Sequence, residues 1–284
     1  MSLQLKNIRL FKIRIMNKEV YKISGSDASN YEEYLGPLIF EPSAKELLQH
    51  IVTFPAQSIL EIACGTGRLT KHLRETFPAA SSLIATDINP DMLELAQKQL
   101  NNPSITFQLA DAQHLPFTDQ SFELVVNQFG LMFLPDKQGG VNEAFRVLKP
   151  HGHFVFTTWD HAGNMPLFKL IIDEMIIPLF KGEDISRFYT PFSLNDPDLL
   201  NAFLEEAGFV NHKVMLMKIK GHSDSPQQIV NSYFLKHPLG REVKERVPSS
   251  FDRIANELEQ QLIQKFGSGP FEFELRAFIG IGQK

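Results

Sequence analysis

Three carboxylates and one loop of small residues stand where ligand chemistry is possible. Glu61 lies in Ile59-Leu60-Glu61-Ile62-Ala63-Cys64-Gly65-Thr66-Gly67, Asp87 in Ile84-Ala85-Thr86-Asp87-Ile88-Asn89-Pro90, and Asp111 in Leu109-Ala110-Asp111-Ala112. Each ends or directly follows a short apolar run. Ala63, Gly65 and Gly67 leave backbone bare for a ligand to approach, and a helix starting there favours negative charge at its N-terminus. A carboxylate at Asp87 can accept both hydroxyls of a ribose. An acceptor at Asp111 suits the exocyclic amine of a base. Glu61 would repel a pyrophosphate but attract an ammonium group. A dinucleotide fingerprint also wants glycine or alanine at position 70, where Thr70 stands. One carboxylate at a strand end is common; three at successive strand ends indicate a site.

The elements that must hold these residues alternate along the first half. Strands are expected at Ser58–Ile62, Leu83–Thr86, Ser104–Leu109, Phe122–Asn127 and His153–Thr158, and helices at Gly67–Phe77, Asp91–Leu100 and Gly140–Leu148. Asn89-Pro90 suits a helix start, because proline fits a first turn that needs no amide donor. Alternation of this kind means parallel pairing in a doubly wound α/β sheet. The second half is Phe-rich. Gly163–Phe188 reads as mostly helical; Asp196-Pro197 opens a helix with Leu199, Leu200, Phe203 and Leu204 inward, ended by Gly208. Lys213–Ile219 and Phe271–Ile281 are strand-like. They are separated by a mainly helical stretch, 226–266, that Pro238 and Pro248 interrupt. One core with a helical cap is expected, divided as 1–40 (extension and cofactor-covering segment), 41–160 (core), 161–208 (helical insertion) and 209–284 (last two strands with their insertion).

S-adenosylmethionine (SAM) carries an ammonium, a carboxylate and a sulfonium but no phosphate, so the Glu61 loop fits it better than NAD. The segments Leu60–Gly67, Ala85–Leu93, Ala110–Phe117, Phe122–Asp136 and Glu143–Trp159 resemble, in this order, the class I SAM-dependent methyltransferases of the ubiquinone/menaquinone-biosynthesis-like small-molecule group. The resemblance implies a Rossmann-like seven-stranded, mostly parallel sheet with an antiparallel last strand. It places Glu61, Ala63, Gly65 and Gly67 around the methionine end of the cofactor, and Asp87 on the ribose. Ile88 and Met92 would lie against the adenine, Asp111 and Ala112 at its edge, and Asn127 and Gln128 toward the methionine and the acceptor. Tyr31, in the segment Asn30–Phe40, would contact the cofactor from a covering element. Ala63 departs from the pattern, since many members carry a glycine there.

The remaining features narrow the function classes. The chain has 284 residues, a net charge of −5 and a single cysteine, Cys64, which excludes an intrachain disulfide. The first 22 residues carry a net +5, so the rest is more acidic than the whole, which argues against nucleic-acid binding. No apolar run reaches the roughly 20 residues of a membrane span, and a cytoplasmic protein, monomer or homodimer, is expected. Phe168, Phe180, Phe188 and Phe192 are candidates for an apolar acceptor pocket, and His161 and His237 are base candidates by type alone. Cys64 and His151-x-His153 read as loop and turn residues, with no metal site. The expected activity is methyl transfer from SAM, yielding S-adenosylhomocysteine (SAH), to a small apolar or aromatic molecule. A SAM-binding protein without activity, a nucleic-acid or protein methyltransferase, and an NAD-dependent oxidoreductase stand as alternatives. Against the nucleic-acid alternative, Asn127-Gln128-Phe129-Gly130 lacks the Asn/Asp-Pro-Pro-Tyr/Phe motif that grips a target amine.

Overall fold

A computed structural model describes residues 25–54 and 56–284. The basic extension expected over residues 1–22 lies outside the described residues, whereas the covering segment expected at Asn30–Phe40 lies within them. Seven strands form one sheet: β1 Ser58–Ile62, β2 Ser82–Asp87, β3 Thr106–Leu109, β4 Phe122–Gln128, β5 Leu148–Trp159, β6 Val210–Ser223 and β7 Phe271–Gln283. The order is β3-β2-β1-β4-β5-β7-β6. Strands β1 to β5 pair in parallel, and β7 is antiparallel to both β5 and β6. The expected Rossmann-like sheet with an antiparallel last strand is thus present.

The apolar runs form strands because both faces of the sheet centre are covered. Ile59, Leu60, Leu83, Ala85, Leu124, Val125, Val126, Val155 and Phe156 are all buried. Helices Arg68–Thr76 and Pro90–Leu100 follow β1 and β2. The Asn89 side chain accepts from the Asp91 and Met92 amides, so the predicted cap forms. The order reversal lies between β1 and β4, the place where open α/β sheets bind ligands at their carboxyl ends.

The second half departs from expectation in detail. Strands β5, β6 and β7 are longer than their apolar cores suggest, because β6 and β7 run side by side from Val210↔Gln283 to Ser223↔Phe271. In helix Pro197–Ala207, Leu200 and Leu204 are buried but Leu199 is 41% exposed, so the predicted inward stripe is narrower by one residue. Segment 162–192 is no continuous helix. It is a chain of short 3₁₀, α and π turns, Ala162–Asn164, Pro166–Phe168, Lys169–Ile176, Ile177–Phe180 and Ser186–Phe192. Pro166, Pro178 and Pro191 each remove an amide donor and prevent one long α-helix. The stretch 226–266 breaks at Pro238 and Pro248 as expected.

Candidate active site

A cavity of about 550 Å³ opens at the carboxyl ends of β1 to β4 and runs beneath residues 162–192 and 226–239. Its β1–β2 wall is set by Asp87. One carboxylate oxygen accepts from the Gly65 amide at 2.8 Å, and the other from the Asn89 amide at 2.8 Å. The side chain therefore fixes the loop after β1 while each oxygen keeps a lone pair for a ligand. Burial raises the Asp87 pKa, partly countered by these backbone bonds. Ala63, Gly65, Ile88, Met92, Asp111 and Ala112 share the lining. Asp111 Oδ1 accepts from the Gln113 backbone at 2.9 Å and its side chain at 3.0 Å, which orients the carboxylate.

Gly65 and Gly67 occupy the left-handed region, at φ +56° and +86°, as the tight turn requires. Gly67 serves packing: a Cβ there would lie 3.0 Å from Ala96 Cβ and Leu100 Cδ1, and the residue is not among those lining this cavity. Ala63, the departure from the glycine pattern, also has φ +56°. Its Cβ makes that conformation costly, by about 1–2 kcal/mol. Phe129, at φ +54°, is a second strained non-glycine residue in the same wall.

A smaller recess opens beside the cavity and shares Tyr31, Phe40, Ala63, Gly65 and Gln128 with it. Glu61, Cys64, Thr66, Arg68 and Leu69 complete its wall. The Glu61 carboxyl is 1% exposed and accepts from Thr70 Oγ1 at 2.6 Å. Burial pushes its pKa up to about 8; the Thr70 bond opposes this, and the nearby Asp87 adds to it. Two buried donors, Arg68 Nε and Gln128 Nε2, have no partner. The rest of the Arg68 guanidinium is engaged, with Glu41 Oε2 at 3.1 Å and with the Glu32 carboxylate and carbonyl. Thr66 Oγ1 also donates to Glu32, so the π-helical segment Tyr31–Phe40 is tied to the loop after β1. A carboxyl and two donors without partners, on residues that share one recess, are the group types that pair with an α-ammonium carboxylate. These features fit the methionine end of SAM.

Asn127 stands behind the wall. Its Nδ2 donates to Ile62 O at 3.0 Å, and its Oδ1 accepts from the Gly130 and Leu131 amides at 3.2 and 2.9 Å. It ties β4 to the end of β1, while Gln128, the next residue, lines the cavity. Asn127→Ala leaves three buried backbone groups short of partners. It is expected to lower stability by about 2 kcal/mol, read as a lower urea midpoint with unchanged slope. An unchanged midpoint would remove this bracing role.

The other end of the cavity is mainly aromatic, with Arg187, Ser232, Lys236 and His237 also in its lining. Phe129 stacks on Trp159 with centroids 3.8 Å apart, and Phe168, Phe188 and Phe192 continue the wall. Phe180 is not part of it; it packs behind Phe188 at 4.8 Å. His237 lines the cavity, whereas His161 Nδ1 accepts from the Gly163 amide and lies outside it. Burial raises the Cys64 thiol pKa, which argues against a nucleophile. His153 stacks on Phe54, and no cluster of metal-ligating residues occurs among the described residues. Arg68, Thr70, Phe129, Trp159 and Tyr233 are site residues that sequence reasoning missed. The strand–loop–helix spacing points to Arg68 and Thr70; the others reach the site through tertiary packing.

A methyltransferase-domain family profile matches residues 60–156. Demethylmenaquinone methyltransferase of Lactobacillus johnsonii is 40% identical over 54% of this chain and 67% of its own length. The ubiquinone/menaquinone biosynthesis C-methyltransferase UbiE of Stenotrophomonas maltophilia is 33% identical over 55% of this chain and 66% of its own. A crystal structure of a methyltransferase described as putative from Bacillus halodurans superposes with a TM-score of 0.53 at 20% identity, covering 85% of this chain and 98% of that one. Phosphoethanolamine N-methyltransferase 2 of Haemonchus contortus, solved with SAH, gives 0.58 at 16% identity over 92% of this chain and 57% of its own; both likenesses concern the fold alone. The carboxylate-bearing strand ends and this relationship together place the chain in the class I SAM-dependent methyltransferases of the ubiquinone/menaquinone-biosynthesis type, with SAM as its cofactor.

Proposed function

We propose that this chain methylates a small, largely apolar, ring-bearing molecule held at the aromatic end of the cavity. In this reading Glu61, with Arg68 and Gln128, receives the methionine end of SAM in the recess. Ala63 and Gly65 give it bare backbone, and Asp87 accepts from the ribose. Ile88, Met92, Asp111 and Ala112 surround the adenine, and Tyr31 covers the junction. Gly67 and Asn127 act indirectly, by shaping the loop and bracing β4. Residues 162–192 and 226–266 form the cap over the acceptor.

The observation that carries this reading is the cavity's division: carboxylates and small residues at one end, Trp159, Phe168, Phe188 and Phe192 at the other. When bound, SAM supplies a methyl group on a sulfonium that is already a good leaving group. The chain's own task is then to align the acceptor and exclude water, which an aromatic, capped chamber does. The printed names of the relatives make a quinone-type ring an acceptor of matching shape and polarity.

Calorimetry with SAH and with NAD is the direct test. SAH is expected to bind with micromolar affinity and NAD to give no comparable heat, because the Glu61 carboxyl can ionise to pair with an ammonium but offers nothing to a pyrophosphate. Binding of NAD without SAH would overturn the assignment of the recess. Replacing Phe188 or Phe192 by Ala is expected to change acceptor turnover while SAH affinity stays within about twofold; collapse of SAH affinity alone would move those residues to the cofactor end.

A further inference from the structure

Tyr233 belongs to a π-helical turn, Asn231–Leu235, in the insertion between β6 and β7. Its ring forms part of the cavity wall and meets Phe168 edge-on at 5.3 Å. The side chain is 5% exposed, and its hydroxyl has no hydrogen-bond partner. A buried tyrosine hydroxyl ordinarily finds one. Burial raises its pKa and the neighbouring Tyr31 phenol raises it further, so the group is a neutral O–H. Tyr31 lines both the cavity and the recess, and Tyr233 lines the cavity alone, between Tyr31 and Phe168 of the aromatic wall. Trp159, Phe168, Phe188 and Phe192 carry no oxygen on their side chains; Arg187, Ser232, Lys236 and His237 also belong to the cavity lining, and among these polar residues Tyr233 is the one whose buried hydroxyl has no partner.

We propose that Tyr233 is an acceptor-reading residue: its hydroxyl donates to an oxygen or nitrogen lone pair on the ring-bearing acceptor and so selects acceptors carrying such an atom over hydrocarbon isosteres. This rests on the proposed function. Polar groups left unpaired when the wrong ligand binds discriminate more strongly than apolar shape does. The unpaired hydroxyl is a cost to the free protein that the correct acceptor relieves.

The test uses the SAH-saturated protein and two probes, 2-naphthol and naphthalene, which differ by one hydroxyl. SAH binding to the wild type is measured first by calorimetry; its absence would overturn the proposed function itself. The wild-type complex is expected to bind 2-naphthol at least about tenfold more tightly than naphthalene. Tyr233→Phe is expected to bring the two affinities within about twofold, with SAH affinity unchanged and a melting temperature equal to or above that of the wild type. The last readout separates this role from a structural one, since a tyrosine that holds the fold through its hydroxyl would lower the melting temperature when lost. The inference is overturned if the wild type fails to prefer 2-naphthol, including by binding neither probe. It is equally overturned if the preference survives in Tyr233→Phe, if that variant loses SAH affinity, or if it melts lower.

Discussion

Asp87→Ala is expected to weaken SAH binding by at least about 100-fold while the fold persists. The side chain stands at the end of β2, and its two oxygens already hold the Gly65 and Asn89 amides at 2.8 Å each. In the assigned role the same oxygens receive two ribose hydroxyls. Charge-assisted hydrogen bonds contribute roughly 1.5–3 kcal/mol each, and two of them exceed the 2.7 kcal/mol or so that a 100-fold change represents. The substitution also frees the loop after β1, where Ala63 and Gly65 both need a left-handed backbone, so pre-organisation is lost along with the contacts. One effect runs the other way. Asp87 is among the groups that raise the Glu61 pKa, so its removal makes Glu61 ionise more readily. That gain changes the proton equilibrium of one group and restores no ribose contact. The check is calorimetry beside a thermal melt: an unchanged dissociation constant in a folded variant would sink the role of Asp87.

The cofactor half was legible because its geometry is local. A strand, a loop of small residues and a helix start within a dozen residues place Glu61, Ala63 and Gly65 without knowledge of the rest of the chain. Parallel pairing then brings Asp87 and Asp111 to the same edge, since Glu61 pairs with Ala85 and Asp87 with Leu109. The type of a residue at a strand end was less informative about its direction. Asn127 and Gln128 are adjacent, and strand alternation sends them to opposite sides, so one braces backbone while the other lines the cavity.

The acceptor half was legible only as composition. Phenylalanines in 163–192 suggest an apolar chamber, yet Phe180 and Phe188 lie eight residues apart and only Phe188 reaches the cavity. No period relates them, because the prolines break the segment into turns of differing pitch. Tyr233 and Tyr31 meet across some 200 residues of sequence, through packing of the segments Tyr31–Phe40 and Asn231–Leu235. Spacing rules do not reach that far. Arg68 was the nearest miss: it follows Gly67 directly, but its guanidinium is oriented by Glu32 of the covering segment and by Glu41 at the start of the helix that follows it.

In its proposed role, Glu61 is expected to make cofactor affinity and protein stability move in opposite directions with pH. Its pKa is pushed up to about 8, above the usual 4.5, mainly by burial. In the free protein at pH 6 the carboxyl therefore holds its proton, whereas the unfolded chain has released it. The native state binds more protons than the unfolded state between about pH 4.5 and 8, so stability falls as pH rises through that window. Burial raises the Asp87 pKa as well, with the same sign. Binding of an ammonium needs the Glu61 anion, so the proton must leave when the cofactor enters. SAH affinity is then expected to rise by about tenfold per pH unit from pH 6 toward 8, and to flatten beyond. Calorimetry in buffers of differing ionisation enthalpy should show close to one proton released per SAH bound at pH 7. Glu61→Gln keeps the shape and the acceptor for Thr70 but cannot ionise, so it should bind SAH weakly at pH 8 and lose most of the pH dependence. It should also be relatively more stable than the wild type as pH rises. A flat affinity from pH 6 to 8 in the wild type, or the same slope in Glu61→Gln, would show that the ammonium is held elsewhere.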